Sequence, residues 1–282
     1  MSELTLSRAA PEPRARAADG RAPARVPGRL ALKATSLAAC LAAWALACHW
    51  KLDLGLVTFR NVPSPLEVAH GAVAFARSGA AAHHLAASVR RVLIGFALAG
   101  VFGVGIGLFA GRLRLVRDLA MPPLEVLRPI PAVAWIPLAI LMFRTSEGSM
   151  IFITFIGAVF PILLNTIHGV EAVDRRLIAS ARSLGARPAA VFREVVFPAA
   201  LPSIVTGLVI GMGTSWFCLV TAEMISGQFG VGYYTWMSYT VQDYPGVVLG
   251  MILIGLLGLG SSLLIRLVGD LFLRWRAAGA QS

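Results

Sequence analysis

Six long apolar segments limit what this chain can fold into. They lie near residues 34–50, 92–110, 129–143, 149–167, 199–222 and 245–265. At a rise of about 1.5 Å per residue, roughly 20 helical residues cross a hydrocarbon core of about 30 Å. Lipid offers no partners to backbone amides, so such segments cross it as helices. Five approach the required length. The third is shorter and holds Pro129, Pro131 and Pro137. We expect it to extend back through Met121 as a kinked or partly interfacial helix, with its neighbours satisfying the groups that proline frees. The expected fold class is an all-α polytopic membrane protein of about six transmembrane helices.

Composition agrees. Of the 282 residues, 57% are hydrophobic and 14% are charged, whereas a soluble domain carries about 25% charged residues. A net charge of +11 would suggest nucleic acid in a soluble protein. Here the basic residues border the apolar segments, which points to membrane topology and away from nucleic-acid binding. Residues 1–31 are rich in Ala, Pro and Arg without apolar periodicity and read as a disordered basic tail; residues 32–282 read as one transmembrane domain. With both termini cytoplasmic, the inner pieces collect Arg112, Arg114, Arg117, Arg128, Arg175, Arg176, Arg182, Arg187, Arg193, Arg266, Arg274 and Arg276. The outer stretch Glu223–Asp243 has no basic residue. This asymmetry places both termini inside.

Arg90 and Arg91 flank the second segment on its outer side, against that rule. We expect them to cap an amphipathic outer helix over about residues 64–88. Its start is marked by Ser64 as N-cap, Pro65 in the first turn and Glu67 completing a capping box. His83 and His84 are adjacent, so they point to different faces and make a poor metal pair. Cys40, Cys48 and Cys218 lie in apolar runs as small hydrophobes, and Cys40 belongs to a retained helix despite the short cleavage-like stretch before it.

Gly95, Ala99, Gly103, Gly107 and Gly111 place a small residue at every fourth position of the second segment, one narrow stripe for close helix contact. The overlapping Gly105 to Ala110 run fits a dinucleotide pattern only loosely, because no strand precedes it. The only lysines are Lys33 and Lys51, and neither follows a glycine, so the chain has no phosphate-cradling P-loop. Metalloprotease and serine-hydrolase motifs are also absent. The sequence therefore offers no recognisable catalytic cluster, and the chain is not a P-loop ATPase by itself. Polar residues inside the spans are few, and such groups face protein or water. Thr214, Ser215 and Trp216 midway in the fifth segment, and Glu223 near its outer end, are the candidates for a pathway or gate. Local readings compete with these: Glu223 pairing with an outer arginine or capping a helix, and Trp216 serving as packing.

Between the fourth and fifth segments stands "IASARSLGARPAAVFREVVFP" (178–198). Asp174 is a fair N-cap for a helix from Arg175, with Leu177, Ala181 and Leu184 on one face. Gly185 suits a C′ position, Pro188 starts a second short helix, and Pro198 and Pro202 then begin the fifth span. From physical chemistry alone, this cytoplasmic insert (174–198) is equally an amphipathic hairpin on the lipid surface or a docking element.

The spacing of Ala179, Ser180, Ala181, Gly185, Val195, Phe197 and Pro198 resembles the signature of integral-membrane subunits of binding-protein-dependent ABC importers. That signature begins Glu-Ala-Ala, and Ala179 stands in place of its glutamate. Further stretches resemble the nitrate/taurine/sulfonate branch: "PSPLEV" (63–68), "LRPIPAVAWIPL" (127–138), "FPILLNTIHGV" (160–170), "AEM" (222–224) and "IGLLG" (254–258). The resemblance spans roughly residues 60–275. It implies a type I, MetI-like importer permease, a transport subunit and not an enzyme, with no cofactor of its own, whose coupling segment (Ala179, Ser180, Ala181, Arg182, Gly185, Pro198) docks into an ATPase. It also implies two ATPase subunits that hold ATP and Mg, a second permease copy, a periplasmic or surface solute-binding protein, a bacterial inner-membrane location, and a small anionic solute. A secondary transporter or channel is the alternative; it would need buried ionisable groups near the midplane.

Overall fold

The computed structural model describes residues 29–53, 55 and 58–273. The expected basic tail lies outside these residues except for its last three, which already belong to α1 (Arg29–His49). Among the described residues the chain is helical, apart from turns and one isolated bridge between Asp53 and Thr58. Among the described residues five helices are long and apolar enough to cross a membrane, or six where the bent pair Arg114–Leu127 and Ala132–Met142 is counted as one span.

α1 stands apart from the bundle. Leu32, Leu37, Leu41 and Leu46 are exposed along it, and Trp44 Nε1 donates to the Pro63 carbonyl at 3.1 Å. α2 (Pro65–Arg77) follows. Ser64 caps it with both halves of a capping box: the Ser64 amide donates to Glu67 at 2.7 Å, and the Glu67 amide donates to Ser64 Oγ at 3.3 Å. The Ser64 amide and hydroxyl hold the Glu67 carboxyl below the usual carboxylate range.

The outer helix expected over 64–88 is corrected here. α2 stops at Arg77, the chain turns at Ser78-Gly79, and residues from Ala80 onward belong to the long rod α3 (Ala80–Arg112). Arg90 and Arg91 are therefore interior to a span helix and cap nothing. Both arginines meet carboxylates: Arg90 pairs with Glu147, and Arg91 with Glu147 and Glu223.

The core is three helices deep. α3 packs along α6 (Ser146–Glu171), and α6 packs along α9 (Phe197–Ser226). A Cβ added at Gly95, Gly103, Gly107 or Gly111 would meet Thr154, Ile162, Thr166 or Val170, each within 3.0 Å. The partner advances by the same number of residues at each step, so α3 and α6 run parallel with their backbones in close approach. Gly157 meets Cys218 and Gly169 meets Ser203, which makes α6 and α9 antiparallel. α11 (Tyr244–Phe272) lies against α9, where Trp216 Nε1 donates to Ser261 Oγ at 2.9 Å.

The third apolar segment is broken, not merely kinked. α4 (Arg114–Leu127) is followed by a 3₁₀ turn (Ala132–Trp135) and α5 (Ile136–Met142), with a bend of 86° across the break. Pro129 and Pro131 fall in that break, where neither can continue a helical ladder. A short helix, α10 (Val231–Thr240), fills the angle between α9 and α11. Its sequence has no amphipathic period to announce it.

Candidate functional site

Two built regions stand at opposite ends of the bundle. The first is the insert. α7 (Arg175–Ser183) begins where Asp174 Oδ1 accepts from the Arg176 amide at 2.8 Å. It ends in a Schellman turn: the Ala186 amide donates to the Ala181 carbonyl at 3.1 Å, and the Gly185 amide to the Arg182 carbonyl at 2.9 Å. Gly185 has φ +83°, a backbone state that costs an L-residue about 1–2 kcal/mol.

The inward face differs from the one expected. Ile178 and Ala181 pack on a cluster of Val170, Val173, Val191, Val196, Ala200 and Ile204. Leu177 and Leu184 are exposed, Leu184 to 88%. Ala179, Ser180 and Arg182 are exposed beside them. The second half also differs. α8 (Pro188–Val191) runs through a π turn (Phe192–Val196) straight into α9, so Pro198 and Pro202 lie inside one continuous rod and do not start a new one. The π turn is the physical reason. The Phe197 amide reaches the Phe192 carbonyl, five residues back, and the wider turn admits Pro198, which has no amide to donate.

At the other end lies a charge cluster in which Glu223 pairs with an arginine, as its local reading expects; the sequence does not show which arginine, nor bring Ser88 and Glu147 to the same place. Glu223 is wholly buried and Arg91 is 2% exposed. Arg91 Nη1 donates to Glu223 Oε1 at 2.8 Å and to the Phe229 carbonyl at 2.6 Å. Arg91 Nε donates to Glu147 Oε1 at 3.0 Å, and Arg90 pairs with the other oxygen of Glu147 at 2.7 Å. Ser88 Oγ donates to the Glu223 carboxylate at 2.8 Å and accepts from the Val231 amide at 2.8 Å. The Gly232 amide donates to Glu223 Oε2 at 2.9 Å. One carboxylate and one guanidinium thus tie α3, α6, α9 and the loop into α10. Gly230, at φ +134°, is fixed by the same cluster, because a Cβ there would sit 2.2 Å from the Glu223 carboxyl carbon.

The four pathway candidates do not share a face. Successive helical residues turn by about 100°, so Thr214, Ser215 and Trp216 diverge. Thr214 is half-buried and bonds the Gly211 carbonyl of its own helix at 3.0 Å. Ser215 and Trp216 point into the bundle, and Glu223 is sealed in the charge cluster. The one open side of α9 instead carries Thr206, Ile210, Phe217 and Ile225, with Thr214 and Thr221 at its margin. No group of three or more His, Cys, Asp or Glu side chains able to hold a metal occurs among the described residues.

A bundle of long apolar helices with a short helical hairpin at one end is the fold of a polytopic membrane protein. The chain belongs to the binding-protein-dependent transport system inner membrane component family, whose pattern matches residues 103–277. It is 33% identical to the nitrate import permease protein NrtB of Synechocystis over 80% of this chain and 83% of that protein. It is 37% identical to Escherichia coli SsuC, named as an aliphatic sulfonates transport permease, over 84% and 89% of the two chains. Among solved structures, an amino acid ABC transporter shares the fold, with a TM-score of 0.54 at 18% identity over 68% of this chain and 91% of that one. The protein is thus the permease subunit of an ATP-driven ABC importer, a transport component that works with ATPase subunits and a binding protein. The MetI-like fold and the multi-pass membrane character stand on the same footing.

Proposed function

We propose that two copies of this chain form the transmembrane path of an importer for a small anion, of the nitrate, sulfonate or taurine kind, handed over by a binding protein. Two ATPase subunits, holding ATP and Mg, dock on the α7 hairpin at the cytoplasmic face, where both termini also lie. The observation that carries this is the hairpin itself. A Schellman turn fixes its tip, Ile178 and Ala181 anchor it to the span cluster, and Leu184 with the small Ala179–Ser180 surface is left facing outward. Such an element transmits a push without bending, because α8 continues unbroken into α9. The Ala179 methyl offers no charge, so docking here rests on shape and on Arg182. Replacing Gly185 with alanine should leave the bundle folded, since a Cβ there meets no atom within 4 Å, yet strain the tip. Arg182→Ala combined with it should lower both ATPase co-purification and uptake. If both remain at wild-type level, the coupling assignment fails.

The anion path runs along the open side of α9. Its hydroxyls satisfy themselves on the preceding turn: Thr206 on Pro202 at 2.9 Å and Thr221 on Phe217 at 2.9 Å. They therefore offer polarity without an unpaired group. Thr214→Leu should slow uptake severalfold while ATPase co-purification persists. Uptake at the wild-type rate would remove this face from the path.

A further inference from the structure

Beside the hairpin, four chain segments converge on a cavity of about 470 Å³. Its walls include Gly111 and Arg112 at the end of α3, Arg114 and Arg117 on α4, Glu171 at the end of α6, and Arg175 at the start of α7. Glu171 is the single acidic side chain lining it and is taken up by Arg117. Among the described residues, Arg112, Arg114 and Arg175 pair with no carboxylate. Topology alone would explain the number of arginines at this end of the spans, but it asks only for a count. It does not ask that residues far apart in sequence should line one concavity.

The surroundings favour one occupant. Phe109, Leu113, Leu115 and Leu119 stand exposed beside the arginines, Leu115 to 73% and Leu119 to 70%. Gly111 and Val170, in the last turns of their spans, set the cavity at the depth where apolar helix gives way to charge. A ligand that fits has a phosphate at this level and hydrocarbon running along the neighbouring helix. Arginine suits that phosphate because its planar fork meets two oxygens at once. We infer that this cavity binds the phosphate headgroup of an anionic phospholipid, with its acyl chains against the exposed leucines of α4. The bound lipid then fills the angle between α4 and α7, next to the hairpin that meets the ATPase.

The test uses the full chain purified in detergent and offered phosphatidylglycerol or phosphatidylcholine, with retained lipid counted by native mass spectrometry. Phosphatidylglycerol should be kept in preference, and excess inorganic phosphate should fail to displace it. Each arginine changed to glutamine among Arg112, Arg114 and Arg175 should lower retention about fivefold, on the scale for basic residues at an anionic membrane surface. The Arg→Lys variants keep the charge but lose the fork, so their retention should fall between that of the wild type and that of the glutamine variants. They also control for folding, since they preserve charge and length. Equal retention of the two lipids overturns the inference, as does retention unchanged in the triple glutamine variant. A triple variant that keeps phosphatidylglycerol but loses the ATPase assigns the cavity to the protein partner and likewise overturns it. Retention is read without transport, so its failure leaves the permease assignment untouched.

Discussion

Arg91→Ala is expected to destabilise the folded chain by about 3–5 kcal/mol, the cost of stranding a buried partner charge. Glu223, wholly buried in the folded chain, would lose the guanidinium that pairs with it. The Phe229 carbonyl would lose its donor as well, and Glu147 would keep only Arg90. Glu223→Gln should cost less, because an amide still offers an oxygen to Ser88 and Gly232. The double variant Arg91→Met/Glu223→Leu should recover only the part of the loss due to the unpaired charge, since it still leaves the Gly232 amide and the Phe229 carbonyl without their partners. Thermal or denaturant unfolding of the purified chain in detergent reads all three. A loss below about 1 kcal/mol for Arg91→Ala, the range of an exposed ion pair, would show that the cluster is solvated and not a brace. Uptake separates brace from gate: if the folded Glu223→Gln variant transports at the wild-type rate, Glu223 has no gating part.

That cluster also shows where sequence reading stops. Arg91 and Glu223 are 132 residues apart in the chain, and each looks anomalous alone: a basic residue on the outer side, an acid at the end of an apolar span. Each anomaly explains the other, but only the parallel packing of α3 on α6 and the return of α9 bring them together. Local signals were legible, as with the Ser64 box, the Asp174 cap and the positive φ at Gly185, because each is decided within a few residues. The helix boundaries that were missed depend on tertiary context. Gly79 ends α2 sooner than the apolar pattern suggests. The π turn lets Pro198 sit inside a rod, where proline normally marks a start. α10 is held by its neighbours, not by its own periodicity. In the fifth segment, nearness in sequence suggested a shared role for Thr214, Ser215 and Trp216, and helical geometry separates them.

The small-residue stripe yields the other large effect, and it comes with its own control. Gly107 and Gly105 lie two residues apart on α3, on different faces. A Cβ at Gly107 would fall 2.6 Å from Thr166 Cβ and 3.0 Å from the Leu163 carbonyl oxygen, whereas one at Gly105 meets nothing within 4 Å. Thr166 cannot turn away cheaply. It is fully buried, and its hydroxyl is held by the Ile162 carbonyl at 2.7 Å. Gly107→Ala must therefore push α6 outward along a contact that runs the length of the span, at about 1–3 kcal/mol for overpacking. Gly105→Ala relieves the helix of a glycine and meets no neighbour, so it should be neutral or stabilising by up to about 1 kcal/mol. The two substitutions are chemically identical and should differ in sign on the same unfolding assay. Because α6 also leads into the α7 hairpin, a shifted α6 should lower uptake in Gly107→Ala and leave Gly105→Ala active. Equal stability of the two variants would mean that the α3–α6 contact has slack, and that the stripe reflects helix composition and not close packing.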